Sequence, residues 1–157
     1  MISEKLKWNE KHKTLTPKPP SKLLNHIPKA FNNQKALDLA GGYGRNAKAL
    51  ADKGYNITLI NISEIGISKI NDNSIKALYL VLDNYIIPKD KYDVILMIKY
   101  FNLNLLKQVP SALKKSGYFV FETVKKYPIN KEKFFKIFKD FETIYFSEKP
   151  FRYVGKK

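Results

Sequence analysis

From residue 35 onward short apolar runs alternate with amphipathic stretches, and that alternation predicts strand after helix after strand. The runs at 35–40, 56–62, 74–82, 92–98 and 118–124 read as five strands, and the second is apolar on both faces, as a strand covered from two sides would be. Helical spacing recurs at 46–53, 64–70 and 101–115, with Gly54 stopping the first of these, Pro110 set to kink or restart the last, and Ser116-Gly117 to end it. Ser21 would cap an earlier helix over 22–31, and Asn130 would open a final one. Stretches 141–146 and 151–154 then face each other across Ser147-Glu148-Lys149-Pro150 as a terminal antiparallel hairpin. Residues 1–20 are polar with isolated apolar anchors at Leu6, Trp8 and Leu15, so they read as an arm beside one domain at 21–157. Together these features predict an α/β three-layer sandwich around a mostly parallel sheet.

The first strand breaks into glycines: Ala36-Leu37-Asp38-Leu39-Ala40-Gly41-Gly42-Tyr43-Gly44-Arg45-Asn46. Glycine lets a backbone turn sharply and approach a ligand closely, and the helix that follows points free N–H groups at the turn. In a parallel sheet, ligands bind at the carboxyl ends of strands, beside the point where strand order reverses. Every candidate site residue sits at such an end: the glycine turn, Asn61, Asp83-Asn84 and Lys99-Tyr100. Gly42 to Ala47 also satisfies the dinucleotide pattern G-x-G-x-x-G/A. The residue where a ribose-binding carboxylate should fall is Asn61, however, and 157 residues leave no room for a second, substrate-holding domain.

Composition narrows the chemistry. The chain has no cysteine, which excludes a disulfide framework and thiolate metal sites, and its two histidines, His12 and His26, are isolated, so no metal is expected. No apolar run is long enough to span a bilayer, residues 1–7 lack an apolar leader core, and a cytoplasmic location is the expectation. A net charge of +15 leaves nucleic acid possible as a partner. Yet all but two of the 29 basic residues are lysine, the exceptions being Arg45 and Arg152, and lysine lacks the bidentate fork that base-reading and phosphate-clamping proteins use. A solvated lysine surface is therefore favoured over a nucleic-acid site.

In this order and spacing, the motifs resemble the class I S-adenosylmethionine-dependent methyltransferases, and in particular a small bacterial branch similar to tellurite-resistance and thiopurine-type enzymes. Residues 36–46 resemble the first motif, LDLGCGxGRN, and 55–64 (YNITLINISE) the second strand, GHxVTGVDIS. Leu82-Asp83-Asn84, 92–98 (YDVILMI) and 113–122 (LKKSGYFVFE) resemble the third, fourth and fifth strands. Trp8-Asn9-Glu10-Lys11, with Pro20-Ser21 after it, is similar to the N-terminal segment that folds over the cofactor in this branch.

The resemblance implies a Rossmann-like, seven-stranded sheet and S-adenosyl-L-methionine as cofactor. It implies that Asp38 orients the cofactor's amino group over the backbone of Ala40, Gly41, Gly42 and Gly44, with Arg45 beside the carboxylate. Asn61 and Ile62 would meet the ribose, Asp83 and Asn84 the adenine, Ile98 the methyl donor, and Trp8 would cover it. His12, Lys99 and Tyr100 are the polar groups expected to face a substrate, and none is assigned as a base. Two departures stand out: Ala40 replaces the first motif glycine, and Asn61 replaces an acid. The expected activity is methyl transfer to a small-molecule acceptor, with RNA or protein methylation and a catalytically silent cofactor-binding module as alternatives.

Overall fold

The computed structural model describes residues 2–14, 18–61 and 63–157. Seven strands form one sheet in the order β3-β2-β1-β4-β5-β7-β6: β1 (Lys35–Leu39), β2 (Asn56–Asn61), β3 (Ile75–Tyr79), β4 (Tyr92–Ile98), β5 (Leu113–Glu122), β6 (Glu142–Glu148) and β7 (Phe151–Lys156). The strands from β3 to β5 are mutually parallel, while β7 inserts antiparallel between β5 and β6. Strand order reverses between β1 and β4, so their carboxyl ends diverge and leave a crevice there.

Side chains alternate across the sheet and both faces are covered, which is why the strands read as continuous apolar runs. Leu37, Leu39, Ile95, Met97, Phe119 and Phe121 point to a face covered by α4 (Leu103–Ala112) and α5 (Lys131–Ile137). Ala36, Val94, Leu96, Ile98 and Val120 point to the opposite face, under α2 (Arg45–Asp52) and the 3₁₀ turn Lys22–His26. Asp38 has the parity of Ala36, so its carboxylate lies on the α2 face. The far face holds an aromatic cluster in which the Phe134 ring centroid lies 4.8–5.4 Å from those of Phe121, Phe138, Phe151 and Tyr153, in tilted or edge-on contacts.

The architecture matches the expectation, and several boundaries differ for physical reasons. The helix expected over 22–31 is only a short 3₁₀ turn, capped by Ser21 as anticipated and ended at Ile27, which takes φ −94° and ψ 125°. Pro28 is the cause, because a proline forces the residue before it out of the helical region. Phe31, the last residue of that expected helix, is exposed. Strand β3 stops at Tyr79, the partner of Asn61 at the end of β2, short of the expected 82, with Leu80 N still donating to Asn61 O at 3.0 Å. Helix α4 runs through Pro110 and ends at Ala112, and Leu113 already pairs with Tyr92 before a register shift to Val94–Tyr118. The expected helix to 115 thus overran. Lys157 Nζ caps the end of α4 by donating to Pro110 O and, at 2.7 Å, to Leu113 O.

The arm also contains a helix, α1 (Ile2–Thr14), which no apolar periodicity announces. It docks on α3 (Glu64–Ser68): Ser63 Oγ donates to Asn9 Oδ1 at 2.7 Å while accepting from Gly66 N, and Lys5 Nζ pairs with Glu64 Oε1 at 3.2 Å. Leu6 is exposed rather than an anchor, and Leu15 lies outside the described residues. Removing the Phe134 ring should cost about 3–5 kcal/mol. Chemical denaturation of Phe134→Ala should show a lower midpoint at unchanged slope.

Candidate active site

Asp38 is the unusual residue. It is almost fully buried at the end of β1, and its Oδ2 has no hydrogen-bond partner among the described residues. Burial raises its carboxyl pKa to about 7, and the Arg45 charge pulls the other way. A buried, unsatisfied carboxylate destabilises a fold, so its presence at a cleft points to a cationic or donor partner from outside the chain.

The glycine turn is shaped around that carboxylate. A Cβ at Gly41 would lie 2.6 Å from Asp38 Oδ2, closer than any real contact, so only glycine passes here. Ala40, Gly42 and Gly44 all take left-handed torsions, at φ 61°, 62° and 89°. Ala40 therefore carries strain of about 1–2 kcal/mol that a glycine would not. Gly44 is the N-cap of α2 and lines no cavity directly; it lets the helix start close against the sheet.

Asn61, at the end of β2, is buried, and its Nδ2 donates to Gly42 O at 2.8 Å. The side chain thus pins the middle of the turn, which an aspartate could not do, because it has no proton to donate at neutral pH. This accounts for the amide at a position where the motif would otherwise suggest an acid. The polar residues of the turn hold the arm in the same way. Tyr43 Oη accepts from Lys18 N at 2.9 Å, Asn46 Oδ1 accepts from Ser21 N at 2.8 Å, and Arg45 Nη1 reaches Pro19 O at 3.5 Å.

Two adjoining cavities meet over the turn. One, of about 260 Å³, is lined by Asp38, Gly41, Arg45, Asn46, Ile98 and Val124. The other, of about 280 Å³, is lined by Glu4, Asn61, Leu82, Asp83, Tyr100, Phe101, Asn102 and Tyr127. Trp8, Ala40, Gly42 and Lys99 border both, so the pair forms one cleft with Trp8 at its waist. Lys99 follows β4 with φ 58°, and its Nζ pairs with the buried Glu122 at 2.7 Å. Burial first, and then the charges of Asp83 and Glu4, raise the Tyr100 phenol, against the hydrogen bond that Asn102 donates to it at 3.2 Å. Tyr100 is therefore a neutral donor at physiological pH rather than a base.

Of the residues singled out in the sequence, Trp8, Asp38, Ala40, Gly41, Gly42, Arg45, Asn61, Asp83, Ile98, Lys99 and Tyr100 converge on this cleft. Asn84 is exposed and borders neither cavity. Ile62 and the His12 side chain lie outside the described residues. Phe101, Asn102 and Tyr127 lie in the loops 99–104 and 125–130, and Glu4 in the arm, which the resemblance implies as the pocket walls, although none of the four was singled out individually. Asn102 carried a signal, since it caps α4 by accepting from Leu105 N; Glu4 had none, because it reaches the cleft only through the docking of α1.

A family model described as "Methyltransferase domain" matches residues 10–147, and the chain belongs to that family. Among solved structures, it is similar to a putative S-adenosylmethionine-dependent methyltransferase from Listeria monocytogenes, with a TM-score of 0.70, 15% identity, and coverage of 87% of this chain and 96% of that one. It is also similar to a SAM-dependent methyltransferase from Archaeoglobus fulgidus, with a TM-score of 0.66, 16% identity, and coverage of 87% and 91%. A third similar structure is geranyl diphosphate C-methyltransferase from Streptomyces coelicolor A3(2), in complex with geranyl diphosphate and S-adenosyl-L-homocysteine, with a TM-score of 0.64, 13% identity, and coverage of 85% and 73%. No curated protein sequence matches the chain.

Replacing Ala40 with glycine should relieve the left-handed strain. Net of glycine's greater unfolded freedom, the gain is about 0.5–1 kcal/mol, or roughly 1–4 °C in Tm. Asn61→Asp should move Tm the other way, by the loss of one buried hydrogen bond, about 1 kcal/mol. Paired thermal melts would check both.

Proposed function

We propose that this cleft binds S-adenosylmethionine through the residues named above and that the chain methylates a small-molecule acceptor. The observation that carries the cofactor assignment is the orphaned Asp38 carboxylate beneath a turn in which a Cβ at Gly41 would collide with it. An aliphatic ammonium supplies the missing donors and the missing charge, and the cofactor's amino group is one. Arg45, beside Asp38 in the same cavity, is the partner for the adjoining carboxylate. The cavity with Asn61, Asp83 and Leu82 suits the nucleoside: Asp83 accepts from the adenine amine, Leu82 covers the base, and Asn61 shares its amide between the turn and a ribose hydroxyl. Trp8 on α1 closes the waist, as an arm folding over the site would.

When bound, the cofactor supplies an activated methyl group on a sulfonium, so an acceptor lone pair bonds to that carbon as the carbon–sulfur bond breaks. Little is then asked of the protein beyond alignment and exclusion of water. Tyr100 and Lys99 face the space where an acceptor would lie, and Lys99 is already held by Glu122. We assign both to positioning and neither to proton removal. Small-molecule acceptors are favoured because the chain is close to a bare core fold, and one structural neighbour holds such a molecule, geranyl diphosphate. The arm motif also favours the tellurite-resistance and thiopurine-type branch.

Titration calorimetry with S-adenosylhomocysteine tests the cofactor assignment, with NADH as control. A carboxyl whose folded pKa lies above its unfolded value holds its proton more tightly in the folded state. The ligand-free protein therefore loses stability as pH rises from about 3.8 to about 7. An ammonium ligand needs the ionised form, so affinity should rise with pH up to about 7, by at most tenfold per unit, with proton release, and then level off. Asp38→Asn should abolish that pH dependence, weaken binding at least tenfold, and raise the Tm of the free protein. Binding of NADH, or of neither ligand, would overturn the assignment.

A further inference from the structure

The chain uses lysine almost everywhere a positive charge stands, and its arginines, Arg45 and Arg152, line the same cavity. That cavity measures about 430 Å³ and opens beside the cleft, sharing Arg45 and Lys99 with the half that contains Asp38. Lys22 and His26 complete its basic lining, and the single carboxylate in it is Glu122. Glu122 is buried and already bridged, to Lys99 Nζ at 2.7 Å and to Arg152 Nε at 3.3 Å. Four permanent cations therefore surround one committed anion.

Arg152 is the available guanidinium, since Arg45 is assigned to the cofactor's carboxylate at the border of the two cavities. Arg152 pairs through Nε, and its terminal nitrogens have no partner among the described residues. Arg45 makes one long hydrogen bond, to Pro19 O at 3.5 Å. Where a solvated charge suffices, lysine serves; a planar fork with parallel donors is needed where a phosphate or carboxylate must be held in one orientation. A composition this skewed toward lysine makes the convergence of both arginines on one concave surface informative about its ligand.

We infer that this cavity holds an anionic group, a phosphate or a carboxylate, of the methyl acceptor, so that the acceptor is an acidic small molecule. The inference rests on the methyltransferase reading of the adjoining cleft. Arg152 and Lys22 grip the anion, and Lys99, at the border of the two cavities, marks where the acceptor passes toward the methyl group.

The test is calorimetric titration with inorganic pyrophosphate and, separately, with succinate, at low salt and with S-adenosylhomocysteine present. Wild type, Arg152→Gln, Lys22→Gln and a remote surface control, Lys139→Gln, are compared. One of the two anions should bind wild type, at least tenfold more weakly in Arg152→Gln, several-fold more weakly in Lys22→Gln, and unchanged in Lys139→Gln, while S-adenosylhomocysteine affinity stays within twofold throughout. Which anion binds separates phosphate from carboxylate. Absence of anion binding, or equal weakening by Arg152→Gln and Lys139→Gln as a diffuse +15 surface would give, overturns the inference. Should Arg152→Gln fail to fold, the exposed Lys22 variant decides. Binding of S-adenosylhomocysteine without either anion leaves the cofactor assignment standing and removes only this one.

Discussion

Everything at the functional end of this sheet depends on one buried carboxylate. Asp38 occupies the α2 face of β1, where the flanking residues are apolar, and the chain immediately beyond folds back over it. That fold-back is possible only because Gly41 leaves the space a side chain would take and because left-handed torsions follow. The free protein bears the cost, as a desolvated group with a raised pKa and a strained alanine. A ligand with matching charge recovers part of that cost, and binding free energy of this kind is hard to replace by surface contacts.

The turn is then stabilised by residues that a motif reading would assign to the ligand. Asn61 holds Gly42, and Tyr43 and Asn46 hold the segment that leads out of the arm. The division of labour is physical: the glycine backbone and the buried charge border the cleft, while side-chain amides and hydroxyls fix that backbone. An amide at 61 therefore fits a working site, since what the turn needs there is a donor.

Much of this was legible in the sequence because it is local. The alternation of strands and helices follows from the apolar runs, and β4 falls where its pattern placed it. The glycines marked the turn, and Ser21, Ser63 and Asn130 cap as their chemistry suggests. The misreadings came from competing local or tertiary effects. Pro28 cut short a helix whose apolar spacing looked sound, and β3 ended where its neighbour ended, leaving Leu80 and Val81 exposed despite their hydrophobicity. Nothing in the string could show that Glu4 reaches the cleft, or that arginines 107 positions apart share a cavity, because both depend on how distant elements pack.

The manner in which α1 is fastened ties one wall of the cleft to the salt concentration. A hydrogen bond from Ser63 and an exposed ion pair to Glu64 join this helix to the body, and it supplies the cleft with Glu4 and Trp8. Exposed ion pairs contribute about 0.2–1 kcal/mol and fade as salt rises. The grip on this wall of the cleft therefore weakens as ionic strength rises, while the Ser63–Asn9 hydrogen bond and the packing of Lys5 over the Tyr79 ring remain.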